Sequence, residues 1–271
     1  MRWPRIARKD VRDAARTRTL LVTVGIFVLL GGAQGYLSTT TGDVATLGER
    51  LPVVLLGAMT LLVPIVALGI SYEGIVGPRT DGSLQFLLGL PYSRGDYFLG
   101  TYVGRAALIS ASVLAGFTAL TFGAAVRGTF VSPGKTVLAV LLAALLGTVF
   151  VAIGISISAA VRSTGAAGGL AFGVFLLFFF FWSSLPGLLA YVANGFTTPE
   201  ALPGWAPYVR ALNPVSAFQV LVDALVAGSA GGIGSLVGDG VDSAALAAAV
   251  LLGWLTLVPL AAYRRFSGCD L

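Results

Sequence analysis

Apolar residues gather into six long runs, and polar residues fill the gaps between them. The runs are 20–37, 51–72, 101–126, 136–161, 165–190 and 244–263. Each is close to the roughly 20 residues a helix needs to cross hydrocarbon. Ahead of the first run, residues 1–19 follow a different pattern. Arg5, Arg8, Lys9, Arg12 and Arg16 share one stripe, and Trp3, Ala7, Val11 and Ala14 lie on another, the pattern of a basic amphipathic helix lying in the headgroup layer beside anionic lipid. A cleavable leader is the competing reading, helped by Ala33-Gln34-Gly35 after the apolar run. Its basic region is too long and carries Asp10 and Asp13.

Two gaps are long enough to hold structure of their own. In the first, 73–100, the apolar run Leu84-Gln85-Phe86-Leu87-Leu88-Gly89-Leu90 follows the turns Gly77-Pro78 and Asp81-Gly82 and stops at Pro91. Leu84, Leu87, Leu88 and Pro91 fall at i, i+3, i+4 and i+7, so the spacing predicts a short helix with one apolar stripe. Ser83 is placed to cap it. The helix is too short to span and is expected to lie across a membrane face, its stripe against a partner. In the second gap, 191–243, Pro203, Trp205, Pro207 and Tyr208 predict an interfacial turn with an aromatic anchor. Asn213-Pro214 then supplies an N-cap and a first-turn proline for a helix through residue 226. Its face of Val215, Phe218, Leu221, Val222 and Leu225 predicts a re-entrant or interfacial element. Residues 228–240 read as a flexible Gly/Ser linker.

Charge orients this pattern. With the N-terminus inside, the cytoplasmic segments hold Arg2, Arg5, Arg8, Lys9, Arg12, Arg16, Arg18, Arg79, Arg94, Arg105, Arg162, Arg264 and Arg265, and the exterior holds Arg50, Arg127, Lys135 and Arg210. The 13-to-4 bias predicts both termini in the cytoplasm and a multi-pass protein of the cell membrane. Exterior acids (Asp43, Glu49, Glu200, Asp223, Asp239 and Asp242) add little, since the rule counts cations.

Composition then narrows the chemistry. The chain has 271 residues, 56% hydrophobic and 11% charged, against about 25% charged in a soluble domain. That predicts an all-α integral membrane protein, and its cations cluster at span ends rather than on a face suited to nucleic acid. Histidine is absent, which removes Ser-His and Cys-His pairs and His-based metal sites. Cys269 stands alone, so no internal disulfide forms. Gly134-Lys135-Thr136 resembles part of a phosphate loop, but position 129 is Thr129 where the loop needs glycine. Ser156, Ser158, Ser183 and Ser184 lack a base and are expected to bond backbone carbonyls or neighbouring helices. Glu73 and Arg105 sit at span ends, where charge is costly unless paired or facing water. Either is placed to pair with the other, with Arg94 or with a partner, and for Arg105 snorkelling is the simpler expectation. No acid lies deep in a run, which excludes a proton or cation relay. The chain is therefore expected to hold no catalytic, cofactor or metal site.

The order of motifs in the first gap carries a resemblance. Glu73 closes the second run. Gly82-Ser83-Leu84, Leu87-Leu88 and Leu90-Pro91-Tyr92-Ser93-Arg94 follow, and Leu99-Gly100 leads into the third. This resembles the coupling region of ABC-2 type permeases, the membrane subunits of ATP-driven transporters. The paired external element before the last span resembles them too. The chain departs from the family at Gly77-Pro78-Arg79, where such chains run on as charged helix, so continuity past Glu73 stays open. The resemblance implies a six-span permease subunit that works as a homo- or heterodimer in export, with cytoplasmic ABC ATPase subunits docked below and ATP and Mg on them. It also implies that Glu73, Gly82, Ser83, Leu84, Leu87, Leu88, Leu90, Pro91, Ser93 and Arg94 form the ATPase contact, and that spans one, two and five rearrange. Gly165, Gly169 and Gly173 form a small-residue ladder for packing within the subunit or between two of them. The competing class is a structural or assembly membrane protein without a transport cycle. An intramembrane enzyme finds no competent residue set.

The charge bias is directly testable. Reporter fusions should place Arg18, Asp81, Arg162 and Cys269 inside and Glu49, Lys135 and Asp223 outside. A cysteine introduced at Asp223 that labels only from the cytoplasm overturns this topology.

Overall fold

The computed structural model describes residues 2–38, 44–199, 201–227 and 244–268. The expected linker at 228–240 lies outside the described residues, as do Cys269, Asp43, Glu200, Asp239 and Asp242. Among the described residues there is helix and no strand, and six helices are long and apolar enough to cross a membrane. In order they are α1 (Trp3–Arg16), α2 (Thr19–Ser38), α3 (Val44–Ser71), α4 (Val76–Thr80), α5 (Ser83–Leu88), α6 (Arg94–Val126), α7 (Pro133–Ala160), α8 (Thr164–Leu176), α9 (Leu185–Ala193), α10 (Ala206–Ala211), α11 (Pro214–Val222) and α12 (Ala244–Ser267). The six spans are α2, α3, α6, α7, the α8–α9 pair and α12.

The most enclosed span is α7, with α3, α6 and α12 packed around it. Leu55, Met59, Val63, Ile109, Val113, Leu146 and Phe150 are fully buried between α3, α6 and α7. Lipid tails are as apolar as these side chains, so close packing, more than escape from water, joins the helices. The closest approach is between α2 and α6. A Cβ on Gly31 would overlap the Gly116 carbonyl, and one on Gly35 the Leu120 carbonyl. From the other side, a Cβ on Gly123 would lie 2.8 Å from the Gly32 carbonyl. The expected ladder on span five is arranged differently. Gly165, Gly169 and Gly173 have nothing within 4 Å of where a Cβ would stand. Among the described residues they pack against nothing, and Leu170 and Phe172 beside them are exposed.

Span five is also broken. Between α8 and α9 the ladder widens to a π turn at Leu177–Phe181 and tightens to a 3₁₀ turn at Trp182–Ser184. Such a widening frees backbone groups for outside partners. The Phe178 carbonyl takes one, a 2.8 Å hydrogen bond from Asn213 Nδ2. Asn213 also acts as the expected N-cap, its Oδ1 accepting the Val215 N–H at 2.8 Å. Trp182 Nε1 donates to the Val209 carbonyl and Trp254 Nε1 to the Leu212 carbonyl, both at 2.9 Å. The α10–α11 corner thus hangs from spans five and six. Val215, Phe218, Leu221 and Val222 of the expected face are buried, and Leu225 is exposed.

The two sets of glycines make opposite demands. Gly31→Ala should destabilise the purified chain by about 1–3 kcal/mol, the range for forcing atoms into a packed core. Gly169→Ala should leave its thermal midpoint unchanged. A chain indifferent to Gly31→Ala would show that the α2–α6 contact is looser than the structure has it.

Candidate coupling face

The break after Glu73 is a built corner. Helix α3 ends at Ser71, and α4 starts at Val76 after a turn at 72–75. A fresh helix start leaves amide N–H groups without carbonyl partners. Here Ser158 Oγ, fully buried on α7, accepts the Ile75 N–H at 2.9 Å and the Val76 N–H at 3.0 Å. Tyr97 Oη of α6 donates to the Gly74 carbonyl at 3.0 Å. Gly74 has no room for a Cβ, which would lie 2.6 Å from Ile155 Cδ1. Of the serines weighed as nucleophiles, Ser158 is therefore a backbone acceptor, and Ser156 donates to the Ala152 carbonyl.

A second turn separates α4 from α5. Gly82, not Ser83, is the cap of α5, because the turn needs a positive φ of 77° that suits glycine. Ser83 becomes the first helical residue, and its N–H donates to Asp81 Oδ1 at 2.9 Å. Hydrogen bonds from the Ser83 hydroxyl and amide hold the Asp81 carboxyl below the ordinary aspartate range.

Helix α5 presents two faces. Leu84 is 1% exposed and belongs to the bundle core, with Leu87 half-buried beside it. Phe86, by contrast, is 83% exposed, with Leu90 and Pro91 also on the outside. The expected docking stripe is thus divided. Leu84 and Leu87 anchor the helix to its own bundle, and the bare apolar side chains are Phe86 and Leu90.

Ser93 and Arg94 have structural partners. Ser93 Oγ accepts the Asp96 N–H at 3.0 Å, and Asp96 Oδ2 faces the Ser93 N–H at 3.4 Å, a capping box that starts α6 well before residue 101. The spacing Ser93-Arg94-Gly95-Asp96 was signal enough to find it. Asp96 Oδ1 also accepts the N–H groups of Arg2 at 2.7 Å and Trp3 at 3.1 Å, so one carboxylate caps two helices. Arg94 Nη1 donates to the carbonyls of Phe266 at 3.0 Å and Ser267 at 3.2 Å. A cation at a helix C-terminus is favourably placed, and here it holds the end of α12. The guanidinium expected to meet an ATPase is engaged within the chain.

The buried charge pair is also one that sequence reading missed. Arg105 Nε lies 3.0 Å from Asp10 Oδ2, both side chains largely enclosed. Burial pushes the Asp10 carboxyl above the ordinary aspartate range, against the pull of Arg105. Helix α1 reaches this position because Gly100 and Gly104 let it lie close on α6. A Cβ at Gly100 would meet Ile6 Cβ at 2.6 Å, and one at Gly104 would meet Asp10 Oδ2 at 2.8 Å. The face of Ile6 and Ala14 is therefore spent on α6. Glu73 stays exposed, beside a cavity of about 190 Å³ that Asp13, Leu87 and Tyr97 also line. Lys135 lies on the opposite side of the bundle, 2.8 Å from Glu49 Oε2. It serves an ion pair at the start of α7.

A family model described as "ABC-2 family transporter protein" matches residues 5–271. The chain is similar to a protein of Stutzerimonas stutzeri named "Probable ABC transporter permease protein NosY", with 32% identity over 272 residues and 96% of each chain covered. It is similar to a Pseudomonas aeruginosa protein of the same name, with 29% identity over 246 residues and 86% of each chain covered.

The corner makes a prediction of its own. Ser158→Ala leaves two buried amide groups without an acceptor, which should cost about 2–6 kcal/mol, at about 1–3 kcal/mol per group. Thermal melting should show the loss, and hydrogen exchange should quicken at Ile75 and Val76 first. Unchanged protection there would mean the amides are satisfied by something other than Ser158.

Proposed function

The chain belongs to the ABC-2 family of transporter proteins and is an ABC transporter permease subunit; from that premise we propose that it couples ATP hydrolysis on a separate cytoplasmic ATPase to movement of a cargo across the membrane, acting as an exporter. The ATPase contact is the α4–α5 corner. The observation that carries this reading is the division of α5, with Leu84 locked into the core while Phe86, two residues on and on the opposite side of the helix, stands 83% exposed. A bare aromatic on a short helix seated on the core by Leu84 is the kind of anchor a small interface concentrates its energy in. Leu90 and Pro91 extend that surface, and Leu88, the last residue of α5, lies in the same segment. Glu73, Gly82, Ser83, Leu84, Leu87, Ser93 and Arg94 then act as the frame that fixes Phe86.

Both chain ends lie in the cytoplasm on this reading, as does the corner. The chain itself carries no nucleotide site, and ATP and Mg belong to the partner. A second permease subunit completes the path, and the outward Gly165, Gly169 and Gly173 of span five are the surface open to it.

Phe86→Ala combined with Leu90→Ala should keep normal membrane abundance and thermal stability, since neither side chain supports the core. It should weaken ATPase co-purification by about 2–4 kcal/mol, the scale of interface hot spots, and uncouple transport from hydrolysis. Leu84→Ala should instead lower abundance. Full ATPase binding by the double variant at normal abundance sinks the assignment, as does robust ATP hydrolysis by the purified chain alone.

A further inference from the structure

On the side of α1 away from Glu73, an open groove of about 400 Å³ runs between α1 and α6. Val11 and Ala15 form one wall, Val103 and Ala107 the other, and Arg8 and Arg12 stand on the rim. Its depth comes from small residues, because Gly104 brings α1 close to α6 while alanines leave the space beside the contact unfilled. The side chains lining it are apolar apart from the two arginines. We propose that this groove is a binding site for one anionic phospholipid, with an acyl chain against Val11, Val103 and Ala107 and the phosphate held between Arg8 and Arg12.

The arrangement of charge selects this occupant. Arg8 and Arg12 are one helical turn apart, so their side chains leave the helix as neighbours. Both are exposed, and among the described residues the ion pairs engage Lys9, Arg105 and Lys135 instead. The acids of α1 lie on the opposite edge, where Asp10 meets Arg105 and Asp13 meets Lys9. Two planar guanidiniums without a nearby carboxylate suit a phosphate, which accepts forked hydrogen bonds from them. The apolar walls demand the rest. Ala107 lies on a spanning helix and is exposed, so the medium that reaches it is hydrocarbon. A ligand that is anionic at one end and a hydrocarbon chain at the other satisfies both halves. This site stands apart from the α5 corner and needs no transport cycle.

The test uses the full chain in mixed micelles with dioleoyl phosphatidylglycerol and dioleoyl phosphatidylcholine as equimolar probes, bound lipid being counted by native mass spectrometry. The unaltered chain should retain one phosphatidylglycerol in preference to phosphatidylcholine. Arg8→Gln with Arg12→Gln should weaken that retention about thirtyfold, from the usual contribution of each cation near an anionic headgroup. Arg5→Gln with Arg16→Gln removes equal charge outside the groove and should change it less than threefold. Ala107→Phe should also release the lipid, because it fills the slot and leaves every charge in place. Equal losses from the two arginine pairs would reduce the effect to general attraction and overturn the site. Retention by Ala107→Phe would overturn it too, since a headgroup or free phosphate would then bind without the chain. If the double variant yields poorly, Arg12→Gln alone gives the same reading at about a fivefold loss.

Discussion

A helix that ends or bends inside a membrane protein leaves backbone donors and acceptors where no water can meet them. Among the described residues, several such places are met by a side chain from a distant segment. Ser158 of α7 accepts the two amides at the start of α4. Asn213 caps α11 and reaches the carbonyl freed by the π turn of span five. Asp96 caps its own helix and α1 together. Arg94 closes the end of α12. These bonds do two things at once. They remove the penalty of a buried orphan group, about 1–3 kcal/mol each, and they fix the position of one element against another far away in sequence.

What could be read from the sequence follows from how local each cause is. The six spans were legible because crossing hydrocarbon demands a long uninterrupted apolar run. Asn213-Pro214 was legible because a cap and a first-turn proline are adjacent residues with one local job. The faces of α5 were not, since Leu84, Phe86, Leu87 and Leu90 are all apolar and offer no contrast between inside and outside. The pair of Asp10 with Arg105 joins residues 95 positions apart, with nothing at either end to announce the other. Glycine spacing was misleading for a related reason. Gly31 and Gly35, Gly100 and Gly104, and Gly165, Gly169 and Gly173 share one period. The first two pairs meet backbone or side chain, and the last set meets nothing among the described residues. Period identifies a smooth face without saying which way it turns.

These links also determine how force passes through the subunit. Ser158 fastens the start of α4 to α7, Tyr97 fastens the turn before it to α6, and Leu84 seats α5 in the core. The start of α6 is joined to α1 through Asp96, Gly100 and Arg105, and to α12 through Arg94 and the Phe98–Tyr263 ring contact. Helix α2 lies on α6 with its backbone nearly touching. On the proposed reading, a displacement of Phe86 would pass to α6 and α7 through these links, and from α6 to α1, α2 and the end of α12. Span five is the exception. It is the least enclosed of the six, Gly165, Gly169 and Gly173 meet nothing among the described residues, and its hydrogen-bond ladder is interrupted midway at Leu177–Phe181. Of the three spans that the resemblance implies rearrange, the first lies against α6, to which the corner is joined. The fifth is the one whose own backbone supplies a joint.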